Sequence, residues 1–393
     1  MAVDTVDDLQ HLRVDQIGTL VAPQRLKENY ARYERGNASG AELQALQDEL
    51  IRDVIRKQEA VGLPVLTDGE FRRGNFQESF AAAVSGFEVP AVGAVYDQSA
   101  INTRPLERAE QNFEAPGPAI FTRRPVVERL TLKRNVVLDE YRFAAALTER
   151  PVKATLLSPD RIAQRFAHER SRHVYRDLDD FTADVVAIER RMIADLVAAG
   201  CHYVQIDAPG YTAYVDPVSL ERMRARGEDP DENLARSIRA DNALIAGFPG
   251  VIFGIHVCRG NPRTVDPATG KVMAQWHREG PYDAIAERLF GGLDHHRLLL
   301  EYDSERAGGF APLRYVPKGK IAVLGLVTTK SAELEPVDAL KRRIDEASRY
   351  LPLDSLALSP QCGFGGVHGI SLAEEDQWRK FARILETARE VWG

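Results

Sequence analysis

Eight short β-rich runs, separated by stretches with helical periodicity, constrain this chain more than any other feature. The runs are 14–20, 64–67, 151–157, 202–206, 251–256, 297–301, 321–326 and 355–358. In 180–199, Phe181, Val185, Ile188, Met192 and Leu196 recur at spacings of three and four, which makes one buried helical face, and Gly200 follows as a C-terminal stop. Further helical stretches are read at 41–60, 231–246, 282–293, 336–350 and 372–391. Strands alternating with helices build a parallel sheet, and eight of them predict an α/β fold closed as a (β/α)8 barrel, also called a TIM barrel, with an open doubly wound sheet as the alternative. Residues 87–149 break the rhythm with Pro, Gly and alternating apolar residues, and read as an inserted β-hairpin-type segment. The expectation is a single domain over 1–393 that carries this insertion.

Composition narrows the function classes. The net charge of −7 gives no general affinity for nucleic acid or for an anionic membrane. No run of about 18 uncharged apolar residues is present, and the acidic N-terminal segment does not read as a signal peptide. Three cysteines in 393 residues make no disulfide framework, so a reduced cytoplasm is expected. Self-association into a homo-oligomer stays open.

With so few cysteines, their surroundings carry weight. The run from Val251 ends in His256-Val257-Cys258, and residues two apart on a strand face the same way, so an imidazole and a thiol project together from the strand's C-terminal end. Cys362 follows the last run and Glu301 closes the run from Arg297. One His, two Cys and a carboxylate suit a tetrahedral zinc ion, and a carboxylate is the donor that a substrate thiol would displace. For either cysteine alone, a small core residue is the simpler account, and the joint placement is what favours a metal. Cys201 precedes its strand and reads as a packing residue.

At these residues the chain resembles the cobalamin-independent methionine synthase family, specifically its C-terminal catalytic barrel. The His-x-Cys, the later Glu and the C-terminal Cys-Gly match that family's zinc site. Ile17-Gly18-Thr19 resembles its Ile-Gly-Ser turn, which implies that Gly18 and Thr19 bind homocysteine. Thr67-Asp68-Gly69-Glu70 resembles its His-Gly-Glu, and Gln205-Ile206-Asp207-Ala208-Pro209 its Gln-Ile-Asp-Glu-Pro. These two imply that Glu70 and Asp207 hold the amino acid's ammonium group. Leu157-Ser158-Pro159 stands where the family has Thr-Gly-Pro. The resemblance therefore implies a zinc-dependent thiol alkyltransferase, most simply one that methylates homocysteine, with Glu70, Asp207 and Glu301 as catalytic residues.

Three departures matter. The chain has no room for the family's second, N-terminal barrel. Ala208 replaces a glutamate. Val327-Thr328-Thr329-Lys330 stands where the family has a histidine that protonates the folate leaving group. Short relatives share this pattern, and one type, the epoxyalkane:coenzyme M transferase, adds a thiol to an epoxide. That reaction and a non-catalytic zinc barrel are the alternatives. Arg72, Arg73, Arg259 and Lys330 would suit an anionic thiol, and His368 is the candidate replacement acid or a plain surface-loop residue.

Overall fold

The six apolar runs from 151 onward each become a parallel strand, because a strand covered on both faces must be apolar throughout. The computed structural model describes residues 6–88, 124–261, 263–265, 272–274, 278–368 and 372–393. Along the chain, β1 (Val84–Phe87) and β2 (Val126–Leu132) form an antiparallel ribbon. β3 (Ala154–Leu157), β4 (Tyr203–Asp207) and β5 (Ile252–Val257) enter the main sheet. β6 (Arg263–Val265) and β7 (Val272–Ala274) make a second ribbon, which the sequence reading missed. β8 (Arg297–Glu301), β9 (Ile321–Val327) and β10 (Leu356–Pro360) complete the sheet. Its order is β10-β9-β8-β5-β4-β3, and every pairing is parallel.

The first two expected strands do not become ladder strands. Each contributes a single bridge, Val14 to Leu358 at the β10 edge and Leu66 to Val152 at the β3 edge. Side chains take over much of the hydrogen bonding between these two segments. Gln16 Nε2 donates to the Val65 carbonyl (2.7 Å), Thr67 Oγ1 donates to the Gly18 carbonyl (2.7 Å), and the Leu20 amide donates to the Gly69 carbonyl (3.1 Å). The parallel ladder therefore runs through six of the eight expected strands, and the outer two meet each other mainly through side chains.

Helices cover the sheet close to where their periodicity placed them. The helix Gly40–Val61 starts at a capping box, with Ser39 and Glu42 bonding each other's backbone, and ends at Gly62 with φ 96°. Leu178–Ala198 is capped by Asp177, Pro230–Ile245 by Asp229, and Glu374–Trp392 closes the chain. The stretch 282–293 is instead two pieces, a 3-10 turn Tyr282–Ala284 and a helix Ala286–Gly292, because the Tyr282 hydroxyl is anchored to the Val257 carbonyl (2.9 Å). The insertion also differs from expectation. Its described part is the β1–β2 ribbon, and it ends by Leu132 rather than 149. Asn135 caps a helix Val136–Ala145 that packs back on the helices 40–61 and 178–198. The middle of the expected insertion, 89–123, lies outside the described residues. No helix among the described residues is long and apolar enough to cross a membrane.

Candidate metal and substrate site

All six strands run the same way, so their C-terminal ends share one edge, where parallel α/β sheets place their chemistry. β5 brings His256 and Cys258 to that edge on one side, and Cys362 arrives two residues after β10. Donor atoms of His256, Cys258 and Cys362 all lie within 4.8 Å of one another, with the two sulfurs 3.8 Å apart. His256 is 3% exposed, and among the described residues neither ring nitrogen forms a well-aligned hydrogen bond, with the Cys258 thiol as its polar neighbour. A buried imidazole with neither nitrogen well bonded beside two thiols is costly unless a ligand is shared among them, and this donor set fits a zinc-like ion.

The two cysteines differ electrically. The hydrogen bond from Cys362 and the positive charge of His256 pull the Cys258 thiol well below its ordinary pKa. Sharing a proton with Cys258, together with burial, pushes Cys362 well above it. Burial disfavours the charged form of His256, but Cys258, Asp207 and Glu301 outweigh it and raise its pKa. Cys201, by contrast, is fully buried away from this group, donates to the Tyr203 carbonyl (3.3 Å) and is pushed up to about 12 by burial.

Glu301 closes β8 at the same edge but stands outside the three-residue group. Arg306 bonds its Oε1 (2.6 Å), Lys330 lies 3.4 Å from that atom, and the Arg259 amide donates to its Oε2 (2.7 Å). Burial works against its ionisation, yet Lys330, Arg306 and Arg259 hold it at about 2. The sequence expectation of four donors in one cluster therefore meets a cluster of three, with Glu301 clamped by cations. Nothing local in the sequence marks Arg306 as that clamp.

Asp207 and Glu70 flank the same mouth. Asp207 pairs in register with His256 on the neighbouring strand and accepts from Gln205 Nε2 (2.7 Å). Burial and the nearby charge of Glu70 raise it to about 7. Glu70 has φ 60°, the one non-glycine with positive φ among the described residues, and it follows Gly69 at φ 72°. Holding a residue with a Cβ there costs on the order of 1 kcal/mol, and it sets the direction of the carboxylate. That carboxylate accepts from Thr155 Oγ1 (2.7 Å), Thr19 Oγ1 (2.5 Å) and Arg73 Nη1 (3.1 Å). Arg73 is in turn held by Glu140 (2.6 Å). Thr155 and Glu140 were not marked by the sequence.

The Gly18–Thr19 turn packs directly on the Cys362 loop. Gly18 has φ 130°, and a Cβ on Gly363 would sit 2.8 Å from Thr19 Cβ, so the two turns meet through a glycine. Asp68 serves as a cap, accepting from the Glu70 amide (2.9 Å). Three of the four cations flagged at the mouth are paired with acids, and Arg259 keeps Nε and Nη1 without a partner among the described residues. Arg72 pairs with Asp48, Arg73 with Glu70 and Glu140, and Lys330 with Asp303 (2.6 Å) and Glu301. Arg259 lies over the Tyr282 ring. His368 pairs with Glu34 (3.1 Å) and contacts Tyr30 edge-on, away from the cysteines.

A parallel α/β sheet with a His/Cys/Cys group and two buried acids at its carboxyl edge defines an α/β protein with a candidate metal site. Comparison with known proteins narrows this. The catalytic domain of the cobalamin-independent synthases matches residues 15–242. YxjG of Bacillus subtilis, itself uncharacterized, is 33% identical over 97% of this chain and 94% of its own length. The methionine synthase of Pyrococcus abyssi is 24% identical over 91% of this chain and 87% of its own. A putative vitamin-B12-independent methionine synthase from Listeria monocytogenes shares the fold, with a TM-score of 0.72 at 24% identity, covering 97% of this chain and 98% of that one. The protein belongs to the cobalamin-independent methionine synthase family. The matched region ends before His256, so the donor group is an independent observation.

Proposed function

We propose that the protein is a zinc-dependent methyltransferase that converts homocysteine to methionine, on a (β/α)8 barrel whose remaining two strands are 14–20 and 64–67. The observation that carries this reading is the His256, Cys258 and Cys362 group, whose buried imidazole forms no well-aligned hydrogen bond among the described residues, placed beside two acids. These three residues would hold the zinc, and Glu301, already drawn toward Arg306 and Lys330, would be the weak and exchangeable fourth donor. When bound, zinc supplies one thing: a substrate thiol that is deprotonated at neutral pH and can act as the nucleophile.

The chain's own residues do the rest. Glu70 and Asp207 hold the ammonium group of the amino acid, and the Gly18–Thr19 turn borders the same pocket. Asp207, at about 7, gives up its proton when a cation arrives. Burial of the group excludes water from the nucleophile.

A second reading concerns the donor. Thr328 and Thr329 are tied to Glu335 and Gln361, Lys330 is tied to Asp303, and no histidine follows β9. Without an acid for the leaving amine, a methyl-folate would react more slowly by about 10²–10⁴, which favours a more activated donor such as an epoxide or a corrinoid-bound methyl. The test is elemental analysis of protein purified without a metal-binding tag, then initial rates with homocysteine and each donor class. About one zinc per chain with homocysteine turnover is the expected result. Metal-free protein that still methylates homocysteine would sink the proposal.

A further inference from the structure

Of the cations that the sequence placed at the mouth, Arg72, Arg73 and Lys330 are paired with acids, whereas two further buried arginines are not. Arg161 and Arg278 are 8% and 5% exposed, and neither forms a salt bridge among the described residues. Arg161 donates through Nε to Gln77 Oε1 (3.0 Å) and through Nη1 to Gln164 Oε1 (3.1 Å). Arg278 donates through Nη1 to the Pro209 carbonyl, and its Nε has no partner. Every one of these acceptors is neutral. The nearest acid in sequence, Asp160, is occupied elsewhere, accepting from Tyr214 (2.8 Å), Ser237 (2.6 Å) and Gln164 (3.0 Å).

The two guanidiniums line one cleft together with Tyr214, Ser237, the acids Asp160 and Glu228, and three further arginines, Arg222, Arg226 and Arg236. The cleft is formed by the segments that leave β3 and β4, at the same edge of the sheet as the cysteines. Burial, then the charges of Arg278 and Arg165, weakens Arg161's hold on its proton against the pull of Asp160 and then Cys258, and burial does the same to Arg278 against Asp216, Asp160 and then Cys258. Asp160 and Asp216 offset these two buried charges only in part, no acid accepts a hydrogen bond from either guanidinium among the described residues, and the planar fork of each suits an oxyanion.

We propose that Arg161 and Arg278 form a binding subsite for a small oxyanion, a carboxylate, sulfonate or phosphate group, carried by one of the two reactants that meet beside Cys258. The proposal rests on the thiol-transfer reading for the word reactant, but not for the anion site itself. The site fixes the far end of a substrate while its near end faces the thiol.

Calorimetric titration of the full chain with inorganic phosphate tests it. Saturable binding is expected, weakened about tenfold or more in Arg161→Gln and in Arg278→Gln, and unchanged in Arg56→Gln, which removes an exposed charge far along the helix 40–61. Hydrogen exchange on the wild-type chain gives a readout that needs no variant: phosphate should protect 159–164 and 209–214. Absence of saturable binding, wild-type affinity in both variants, or no protection of those segments would overturn the proposal. Repeating the titration with saturating homocysteine separates the sources. Simultaneous binding places the anion on the alkyl donor, mutual exclusion places it on the thiol, and either supports the subsite. Phosphate binding requires neither metal nor turnover, so failure here and failure of the methyltransferase reading are read on different instruments.

Discussion

Replacing Arg73 by Met removes one guanidinium from a pocket that holds three carboxyl groups. Arg73 contacts Glu140 Oε2 at 2.6 Å and Glu70 Oε1 at 3.1 Å, and Asp68, held at about 7 by burial and by Glu140, lies in the same pocket. Arg73 and both paired glutamates are at most 6% exposed, so water cannot take over the lost charge. Breaking a buried ion pair by removing one partner costs about 3–5 kcal/mol, whereas Met roughly keeps the aliphatic volume. The sign of the pH dependence identifies the cause. In the variant two buried carboxylates are left facing each other without their shared cation, and protonation relieves that repulsion, so stability is kept at low pH and lost as pH rises. Urea unfolding followed by tryptophan fluorescence should therefore show a loss of about 3–5 kcal/mol at pH 8 and less than half of that at pH 5. A loss below about 1 kcal/mol at pH 8, or an equal loss at both pH values, would refute the charge argument and leave only packing.

Three further outcomes are expected. Cys258→Ser and Cys362→Ser should each lose most of the zinc found in wild-type protein while Cys201→Ser retains it, as read by elemental analysis; retention in the first two would end the ligand assignment. Asp241 is buried against Tyr211 and Ser158 with its carboxyl held at about 7, so it alone should contribute a fall in stability of about 2–4 kcal/mol as pH rises from 4 to 7, and Asp241→Asn should reduce the slope by that share in urea titrations. Gly363→Ala would press a methyl to 2.8 Å from Thr19 Cβ, and thermal unfolding should report a loss of about 1–3 kcal/mol; an unchanged melting temperature would show that the two turns are not in firm contact.

The six ladder strands were legible because burial on both faces leaves an unbroken apolar run, as in Leu298-Leu299-Leu300 of β8. The segments 14–20 and 64–67 mix Asp15, Gln16, Gly18 and Thr67 into their runs, and the Gln16 and Thr67 side chains bond between the two segments, so period alone did not show that each keeps a single bridge to the ladder. The end of the insertion was misplaced because RLTLKRNVVL reads as one alternating run, while Asn135 inside it caps a helix. His256 and Cys258 were legible from the two-residue strand period, and Cys362 from its place after the last strand. The clamp on Glu301 was not, since Arg306 and Lys330 come from loops five and 29 residues on, with no period to relate them. Arg161 and Arg278 were missed for the same reason: their significance lies in what they do not touch, which no sequence shows.

The acids at the mouth divide according to what neutralises them, and that division bears on how a reaction would start. Glu301 is held at about 2 by three cations, so it stays charged at any physiological pH and its affinity for a further cation is blunted. Asp207 has no cation within its own hydrogen-bond set, only Gln205, and rests at about 7, so near neutrality it is divided between its two forms. An arriving ammonium group therefore finds its best electrostatic partner in Asp207, whose ionisation it drives, while Glu70 must share any such cation with Arg73. In the proposed reaction the amino end of the thiol substrate would thus be bound with release of part of a proton from Asp207, and the thiol end would displace the acid least able to compete, Glu301. The fold achieves this with two carboxylates at the ends of β4 and β8, set apart only by the cations that the loops bring to one and withhold from the other.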